Sequence, residues 1–243
     1  MNKRGQVTIF IIIAIIVVVL GILFFIFRDS LRINSTPNYV DEVSLFVQDC
    51  IEESGSSVIY EIGRNGGYFL GPEKSTSSGV PYYLYQGRDF MPSKEKIERE
   101  ISQYFNLVLP LCVNNFEKFS DLEINYSRVQ AITKILSDKV VISVNYPITI
   151  KKGEDSNYLK DFGDQEFLAE ISKIYFSAGE IVEDMKEDPE ICLSCLSNIA
   201  LDNDLKIDIE QPSSSILIFK LRDENSKLGG SPFEFYFAIE NEK

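Results

Sequence analysis

The order of apolar and polar positions divides the chain into one long apolar run and a longer region of mixed patterns. Residues 7–27 form a run of 21 uncharged side chains, nearly all Ile, Val, Leu or Phe. At 1.5 Å per residue, a helix of this length spans a bilayer core of roughly 30 Å. A buried core helix is the alternative, but such a helix is seldom apolar on every face for so long. The pattern therefore predicts a transmembrane helix.

The sequences flanking this helix predict its orientation. Lys3 and Arg4 lie in residues 1–6, which favours a short cytoplasmic tail. A cleaved secretory signal would have a shorter apolar region followed by small residues, whereas this one continues directly to Arg28. The polar, turn-forming residues 28–38 indicate a linker. We therefore expect a single-pass protein of the cell membrane, contacting lipid through this helix, with its C-terminal domain outside the cytoplasm.

Residues 39–243 mix helical and alternating patterns, and they predict one α+β domain of helices packed on an antiparallel sheet. Pro110 is expected to kink or interrupt its helix. Helical spacing covers residues 40–63, 93–112 and 162–186, with a short helix opened by Asp188 and Pro189. Strands are predicted at residues 80–86, as a meander within 122–150, and at 207–209, 216–221 and 233–239.

Charge and composition narrow the function classes. From residue 29 onward, 21 basic side chains face 37 acidic ones, for a net charge of −16. This balance repels phosphate backbones, so nucleic acid is not an expected partner. The chain contains no histidine, which excludes Ser-His-Asp and Cys-His nucleophiles and the H-E-x-x-H zinc proteases. Carboxylate-only, Ser-Lys or cysteine chemistry remains.

Residues 3–10, with the sequence Lys-Arg-Gly-Gln-Val-Thr-Ile-Phe, resemble the start of archaeal pilin precursors with class III signal peptides. In that family a basic residue and Gly, then Gln, a hydroxyl residue and an acidic residue precede the apolar helix. Ile9 and Phe10 stand where the acidic residue would be, which weighs against filament formation. The resemblance implies a surface-filament subunit processed near three residues, Arg4, Gly5 and Gln6.

The remainder of the chain is similar to a family of single-span surface proteins from small-genome archaea. The similarity rests on Cys50 near the start of the domain, on the following Gly66-Gly67-Tyr68, and on a late C-x-x-C motif. It implies no particular activity.

Four cysteines are present, Cys50, Cys112, Cys192 and Cys195, and an even number in an extracytoplasmic domain predicts disulfides. Cys50 and Cys112 lie on the apolar stripes of two predicted helices, so a bridge would join these helices, and two buried thiols are the alternative. Cys192 is expected in the first turn of a helix, which lowers a thiol pKa. For this second pair we favour a structural bridge or core cysteines, with redox exchange or zinc binding as alternatives. A zinc site would need all four thiolates to converge.

Other motifs are weaker. The glycine-rich loop at residues 63–79 has Glu73 before Lys74, where a phosphate-binding P-loop needs Gly. No cofactor and no metal are expected. The acidic pairs could supply carboxylates for glycoside chemistry, but solvated helix faces are favoured for them: Glu52 with Glu53 and Glu98 with Glu100. Three tyrosines could form a ligand platform, although packing in a strand is favoured: Tyr82, Tyr83 and Tyr85.

Two Asn-x-Ser/Thr sequons begin at Asn34 and Asn125, and either asparagine could carry a glycan if it is exposed outside the cell. Taken together, these patterns favour a membrane-anchored structural, adhesive or assembly protein without catalytic activity. Its partners would be other surface proteins or further copies of the chain. A pilin-like subunit and a membrane-tethered thiol-disulfide oxidoreductase using Cys192 and Cys195 are the alternatives.

Overall fold

The computed structural model describes residues 16–19 and 37–240, and the contacts divide the chain into two units, Met1–Asp41 and Glu42–Lys243. In the first unit, residues 16–19 are helical. Among the described residues, no helix combines the length and apolar character needed to cross a membrane. Apart from residues 16–19, the span predicted at 7–27 lies outside the described residues, as do the tail and most of the linker.

Between residues 37 and 240 the chain alternates helices and strands, so the α+β class is confirmed. The helices are α1 Asn38–Arg64, α2 Lys94–Val113, α3 Ile171–Glu187 and α4 Leu193–Asp202, with a 3-10 segment at Asn114–Phe119. The strands are β1 Tyr82–Tyr85, β2 Arg88–Asp89, β3 Glu123–Tyr126, β4 Gln130–Ile135, β5 Val140–Lys152, β6 Asp155–Phe167, β7 Lys206–Ser213, β8 Ile216–Leu228 and β9 Ser231–Glu240.

The strands form two sheets rather than the one sheet predicted. The first sheet has the order β2-β1-β9-β8-β7. The second sheet is built around β5. Strand β6 pairs with one edge of β5, and β3 and β4 both pair with the other edge, each along a different part of its length. All strand pairs are antiparallel except β1 with β9, in which Tyr82 stands opposite Ala238. The prediction of a purely antiparallel sheet is therefore wrong, because pairing between segments so far apart in the chain leaves no trace in local patterns.

Two predicted helix starts are also wrong. Strand β6 extends to Phe167, and α3 begins only at Ile171. Most side chains of β6 are exposed, so the strand lacks the alternating apolar signal that would separate it from a helix. The short helix expected at Asp188 begins at Leu193 instead. Pro110 does not interrupt α2, which continues to Val113 and ends at the left-handed residue Asn114.

Helix α1 touches both sheets through glycines. A Cβ atom at Gly55 would lie 2.1 Å from Cζ of Phe167, the last residue of β6. At Gly63, a Cβ would lie 2.4 Å from the carbonyl oxygen of Glu234 in β9. At such distances a side chain at either position would overlap atoms already in place, and its neighbours would have to shift. The apolar residues around these glycines are buried, including Val47, Ile51, Val58, Ile59 and Ile62.

Helix α2 covers the outer edge of β4 with a ladder of hydrogen bonds. Three acceptors on the helix take the backbone N–H groups of three alternate strand residues: Asn106 from Ala131 at 2.9 Å, Ser102 from Thr133 at 3.0 Å, and Glu98 from Ile135 at 3.0 Å. The two spacings match, because four residues of helix rise by about 6 Å and two residues of strand by about 6.6 Å. The exposed edge of the sheet is thereby capped.

Glu98 and Glu100 on α2 are consequently not the solvated helix face that the sequence favoured. Glu98 and Glu100 are both buried. Glu98 also binds the ammonium group of Lys134 at 2.9 Å, and Glu100 accepts the N–H groups of Phe69 and Leu70 at 3.0 and 3.2 Å. Both carboxylates fasten neighbouring backbone to the helix.

The glycine contact predicts a sharp difference between two substitutions. Gly55→Ala should destabilise the full chain by about 1–3 kcal/mol, because the added methyl group would overlap the Phe167 ring. Gly71→Ala is the matched control, since a Cβ there meets no atom within 4 Å, and it should change stability by no more than about 0.5 kcal/mol. Urea denaturation followed by circular dichroism measures both. Equal stability of the two variants would contradict the close approach of α1 to β6.

The hydrogen-bond ladder predicts that the acceptor at residue 98 contributes more to the free energy of unfolding than the charge of this residue does. Glu98→Ala leaves the N–H group of Ile135 buried without an acceptor, which should cost about 1–3 kcal/mol of unfolding free energy. Glu98→Gln keeps a carbonyl acceptor and loses mainly the ion pair with the largely exposed Lys134, so it should cost less than about 1 kcal/mol. The same denaturation experiment compares them, and an equal loss in both variants would show that the ladder does not contribute.

Candidate functional site

The four cysteines form two pairs. Cys50 on α1 and Cys112 on α2 have an S–S distance of 2.08 Å and a Cα–Cα distance of 5.6 Å, so this pair joins the two helices. Cys192 and Cys195, at the start of α4, have an S–S distance of 1.97 Å and a Cα–Cα distance of 5.2 Å. Because the cysteines are bonded two by two, the structure does not bring four thiolates together as a zinc site would require.

Cys192 is the N-cap of α4 rather than a residue of its first turn. Its sulfur accepts the backbone N–H of Cys195 at 3.2 Å and lies 3.4 Å from the hydroxyl oxygen of Ser194. The helix starts late because the carboxylate of Asp188 accepts the N–H of Glu190 at 3.0 Å and closes a local turn there. Both cysteines are partly exposed. The pair is therefore accessible to solvent, and its first cysteine caps the N-terminus of the helix.

The surroundings of this pair are acidic. A cavity of about 220 Å³ lies beside it, and its lining includes four acidic residues, Asp184, Glu187, Asp188 and Glu190. The helix N-terminus and the N–H of Cys195 would favour a thiolate at Cys192. The neighbouring carboxylates would oppose it, because like charges repel. Within residues 37–240, no group of three or more Cys, Asp or Glu side chains is arranged to hold a metal ion.

Helix α4 exposes apolar side chains next to the cysteine pair. Leu193 and Leu201 are 71% and 77% exposed, and no residue within this described helix is buried. The helix carries no charged side chain before its last residue, Asp202. Its exposed side is therefore almost uncharged but mixed in polarity, because Ser194, Ser197 and Asn198 are exposed as well.

The other residues that the sequence singled out either lie apart from the Cys192–Cys195 pair or pack in the hydrophobic core. Asn125 is exposed on β3, where its amide donates to Glu123 at 3.2 Å. Tyr83 is fully buried, and its hydroxyl donates to the carbonyl oxygen of Gly66 at 3.0 Å. Tyr82 is also buried, so packing in the strand is confirmed for both tyrosines. Outside the described residues lie Asn34 and the processing residues Arg4, Gly5 and Gln6.

One group of residues was missed by the sequence analysis. Lys74 in the glycine-rich loop and Lys96 and Arg99 on α2 line a common pocket. The only sequence signal is the i, i+3 spacing of Lys96 and Arg99, which places them on one side of the helix. Nothing in the sequence brings Lys74 to the same place.

The fold and these pairs define a disulfide-bonded α+β domain. Comparison of the chain with protein-family models, with curated proteins and with solved structures finds no match.

The two disulfides should contribute unequally to stability. The Cys50–Cys112 bridge closes a loop of 62 residues, for which chain entropy gives about 4 kcal/mol, against about 1.5 kcal/mol for the three-residue separation of Cys192 and Cys195. The double variant Cys50→Ala with Cys112→Ala should therefore unfold at much lower urea concentration than Cys192→Ala with Cys195→Ala. Equal unfolding midpoints for the two double variants would contradict this assignment.

Proposed function

We propose that the chain is a single-pass membrane protein in which residues 7–27 anchor an extracytoplasmic domain with a structural, adhesive or assembly role and no catalytic activity. The observation that supports this function best is the pairing of all four cysteines. Disulfides persist in oxidising compartments outside the cytoplasm and are rare inside it. The apolar run at residues 7–27 and the basic residues before it support the anchor and its orientation.

The state of the acidic residues supports a role without catalysis. A general acid or base must be free to exchange a proton with a substrate. Glu98 and Glu100, the buried carboxylates of α2, are instead occupied by backbone N–H groups. Asp223 on β8 is fully buried, and it accepts the hydroxyl of Ser226 at 2.7 Å and the N–H of Asn225 at 3.0 Å. These side chains hold the fold together.

Membrane fractionation of the native protein tests the anchor. The full chain should remain in the membrane after carbonate washing, and a variant lacking residues 1–28 should appear in the soluble fraction. A cysteine-reactive reagent should not label the full chain before reduction, and non-reducing peptide mapping of the full chain should recover Cys50 with Cys112 and Cys192 with Cys195. Recovery of the full chain in the soluble fraction, or of free thiols in freshly isolated protein, would contradict the proposal.

The second candidate is a thiol-disulfide oxidoreductase, favoured by the position of Cys192 at the N-terminus of α4 and by its hydrogen bond from the N–H of Cys195. The reduction potential of this pair separates the two functions. A value below about −300 mV indicates a structural bridge, whereas a value near those of disulfide-exchange enzymes, about −120 to −270 mV, indicates redox exchange. The variant Cys50→Ala with Cys112→Ala isolates the second pair for this measurement.

The pilin-like subunit is a further candidate, and it rests on the resemblance of residues 3–10 to class III signal peptides. Intact-mass measurement of the native protein tests it. A mature chain that begins at Gly5 or Gln6 supports processing of the pilin type, and a chain that still begins at Met1 or Asn2 excludes it.

A further inference from the structure

A pocket of about 310 Å³ lies between the glycine-rich loop and the start of α2. Three basic side chains reach it, Lys74 from the loop and Lys96 and Arg99 from the helix. Its remaining walls include three aromatic side chains, Tyr68, Tyr82 and Phe90. A concentration of positive charge is unexpected in a chain whose net charge is −13. Its size falls within the range of pockets that bind small molecules.

The walls of this pocket are fixed by hydrogen bonds. The hydroxyl of Tyr68 donates to the carbonyl oxygen of Phe90 at 3.1 Å. Glu100 holds the next part of the loop, because its carboxylate accepts the N–H groups of Phe69 and Leu70. On the opposite side, the backbone N–H of Tyr82 donates to the carbonyl oxygen of Lys74 at 3.0 Å. The pocket is therefore formed before any ligand arrives, which lowers the entropic cost of binding.

None of its three cations pairs closely with a carboxylate among the described residues, although Glu95 lies near enough to interact electrostatically with Arg99. No ion pair within 4.0 Å in the described part of the chain involves Lys74, Lys96 or Arg99. The nearby carboxylate of Asp89 is taken by Lys186 at 2.8 Å. Among the pocket's own side chains, Glu73 is the one acid, so the lining carries three positive charges and one negative charge.

Aromatic rings hold two of these cations without neutralising them. The ammonium group of Lys96 lies 4.8 Å from the ring centre of Tyr68, and that of Lys74 lies 5.5 Å from the ring centre of Tyr85. Such contacts orient a cation while its N–H donors stay available to a further acceptor. Burial, together with the charges of Glu100, Glu73 and Asp89, raises the pKa of Tyr68 to about 12. Tyr68 therefore stays neutral and adds no negative charge to the pocket at neutral pH.

The start of α2 adds to the positive potential. Ser93 lines the pocket and caps the helix by accepting the N–H of Lys96 at 3.3 Å. A helix of 20 residues carries a partial positive charge at this end. The helix end only reinforces the field of the three cations.

We propose that this pocket binds a small molecule bearing an oxyanion, either a carboxylate or a phosphate group. Lys96 and Arg99 hold the oxyanion from the helix, Lys74 contacts it from the loop, and the rest of the molecule lies against Phe90. Guanidinium and ammonium groups form charge-assisted hydrogen bonds with such groups, and these are stronger than bonds between neutral partners. This binding activity requires neither the membrane anchor nor any thiol chemistry, so it can fail or succeed separately from the function proposed above.

Binding is measured by isothermal titration of the purified full chain with glucuronate, glucose 6-phosphate, inorganic phosphate and the neutral sugar glucose. We expect at least one of the three anions to bind with a Kd of about 1 mM or tighter, more weakly as salt is added, and glucose not to bind. Preference for glucuronate identifies a carboxylate ligand, and preference for the phosphates identifies a phosphate ligand. No binding of any anion up to about 10 mM would overturn the proposal.

Variants locate the site. Lys96→Gln with Arg99→Gln should weaken anion binding by about tenfold or more, because two charge-assisted contacts are lost. Glu73→Gln should tighten binding, since it removes the one acidic side chain of the lining, and a misfolded protein could not show such a gain. Lys160→Gln with Lys227→Gln, two exposed changes on β6 and β8 that remove the same total charge, is the control and should leave binding unchanged. Equal affinity of the control and of Lys96→Gln with Arg99→Gln would place the anion elsewhere and overturn the proposal.

Discussion

The close approach of helix α1 to both sheets is the constraint on which the rest of the structure depends. At Gly55 and Gly63 the helix has no side chain, and there the ring of Phe167 and the backbone of β9 fill the space that a Cβ would occupy. Glycine lowers helix stability by roughly 1 kcal/mol relative to Ala. Here that loss is offset by burial of the apolar residues around the two glycines, because the helix and sheet backbones come close enough for them to pack. The disulfide from Cys50 to Cys112 then fixes α2 relative to the same helix.

Hydrogen bonds and ion pairs also position the helices on the sheets. The acceptors of α2 cap the free edge of β4, so a strand that could pair with another chain is covered within its own molecule. On the first sheet, the ammonium group of Lys173 on α3 lies 3.4 Å from the carboxylate of Asp223, which is fully buried. A buried charge of this kind is tolerated only when it is paired and hydrogen-bonded. Both helices are therefore positioned by specific donors and acceptors as well as by shape.

The sequence predicted the α+β class and the two longest helices, α1 and α2, well, because their apolar residues recur at a helical period that depends only on neighbouring positions. The start of α2 at Ser93 was correct for the same reason, since a cap is a local feature. Strand β6 was missed because its exposed side chains carry no alternating signal, and the parallel pairing of β1 with β9 was missed because it joins distant segments.

For the candidate sites too, features set by neighbouring residues were predicted, and features set by contacts between distant segments were not. The cysteines were identified from the sequence, and the pairing of Cys50 with Cys112 was favoured because both lie on helices. The roles of Glu98 and Glu100 were predicted wrongly, because a glutamate on an exposed helix face and one that faces a strand edge look alike in sequence. The pocket of Lys74, Lys96 and Arg99 could not be predicted, since it depends on how a loop without regular structure returns to α2.

The pairing of β1 with β9 also constrains the order in which the domain can form. Tyr82 and Ala238 are 156 residues apart, yet β9 supplies the partner that connects β1 to the rest of the first sheet. Closing such a long loop is entropically unfavourable and slow, and it cannot occur until nearly the whole chain is available. The helix pair joined by Cys50 and Cys112 needs only the first half of the chain. From this topology we expect α1 and α2 to associate early and the last strand to close the sheet against one of the first strands late.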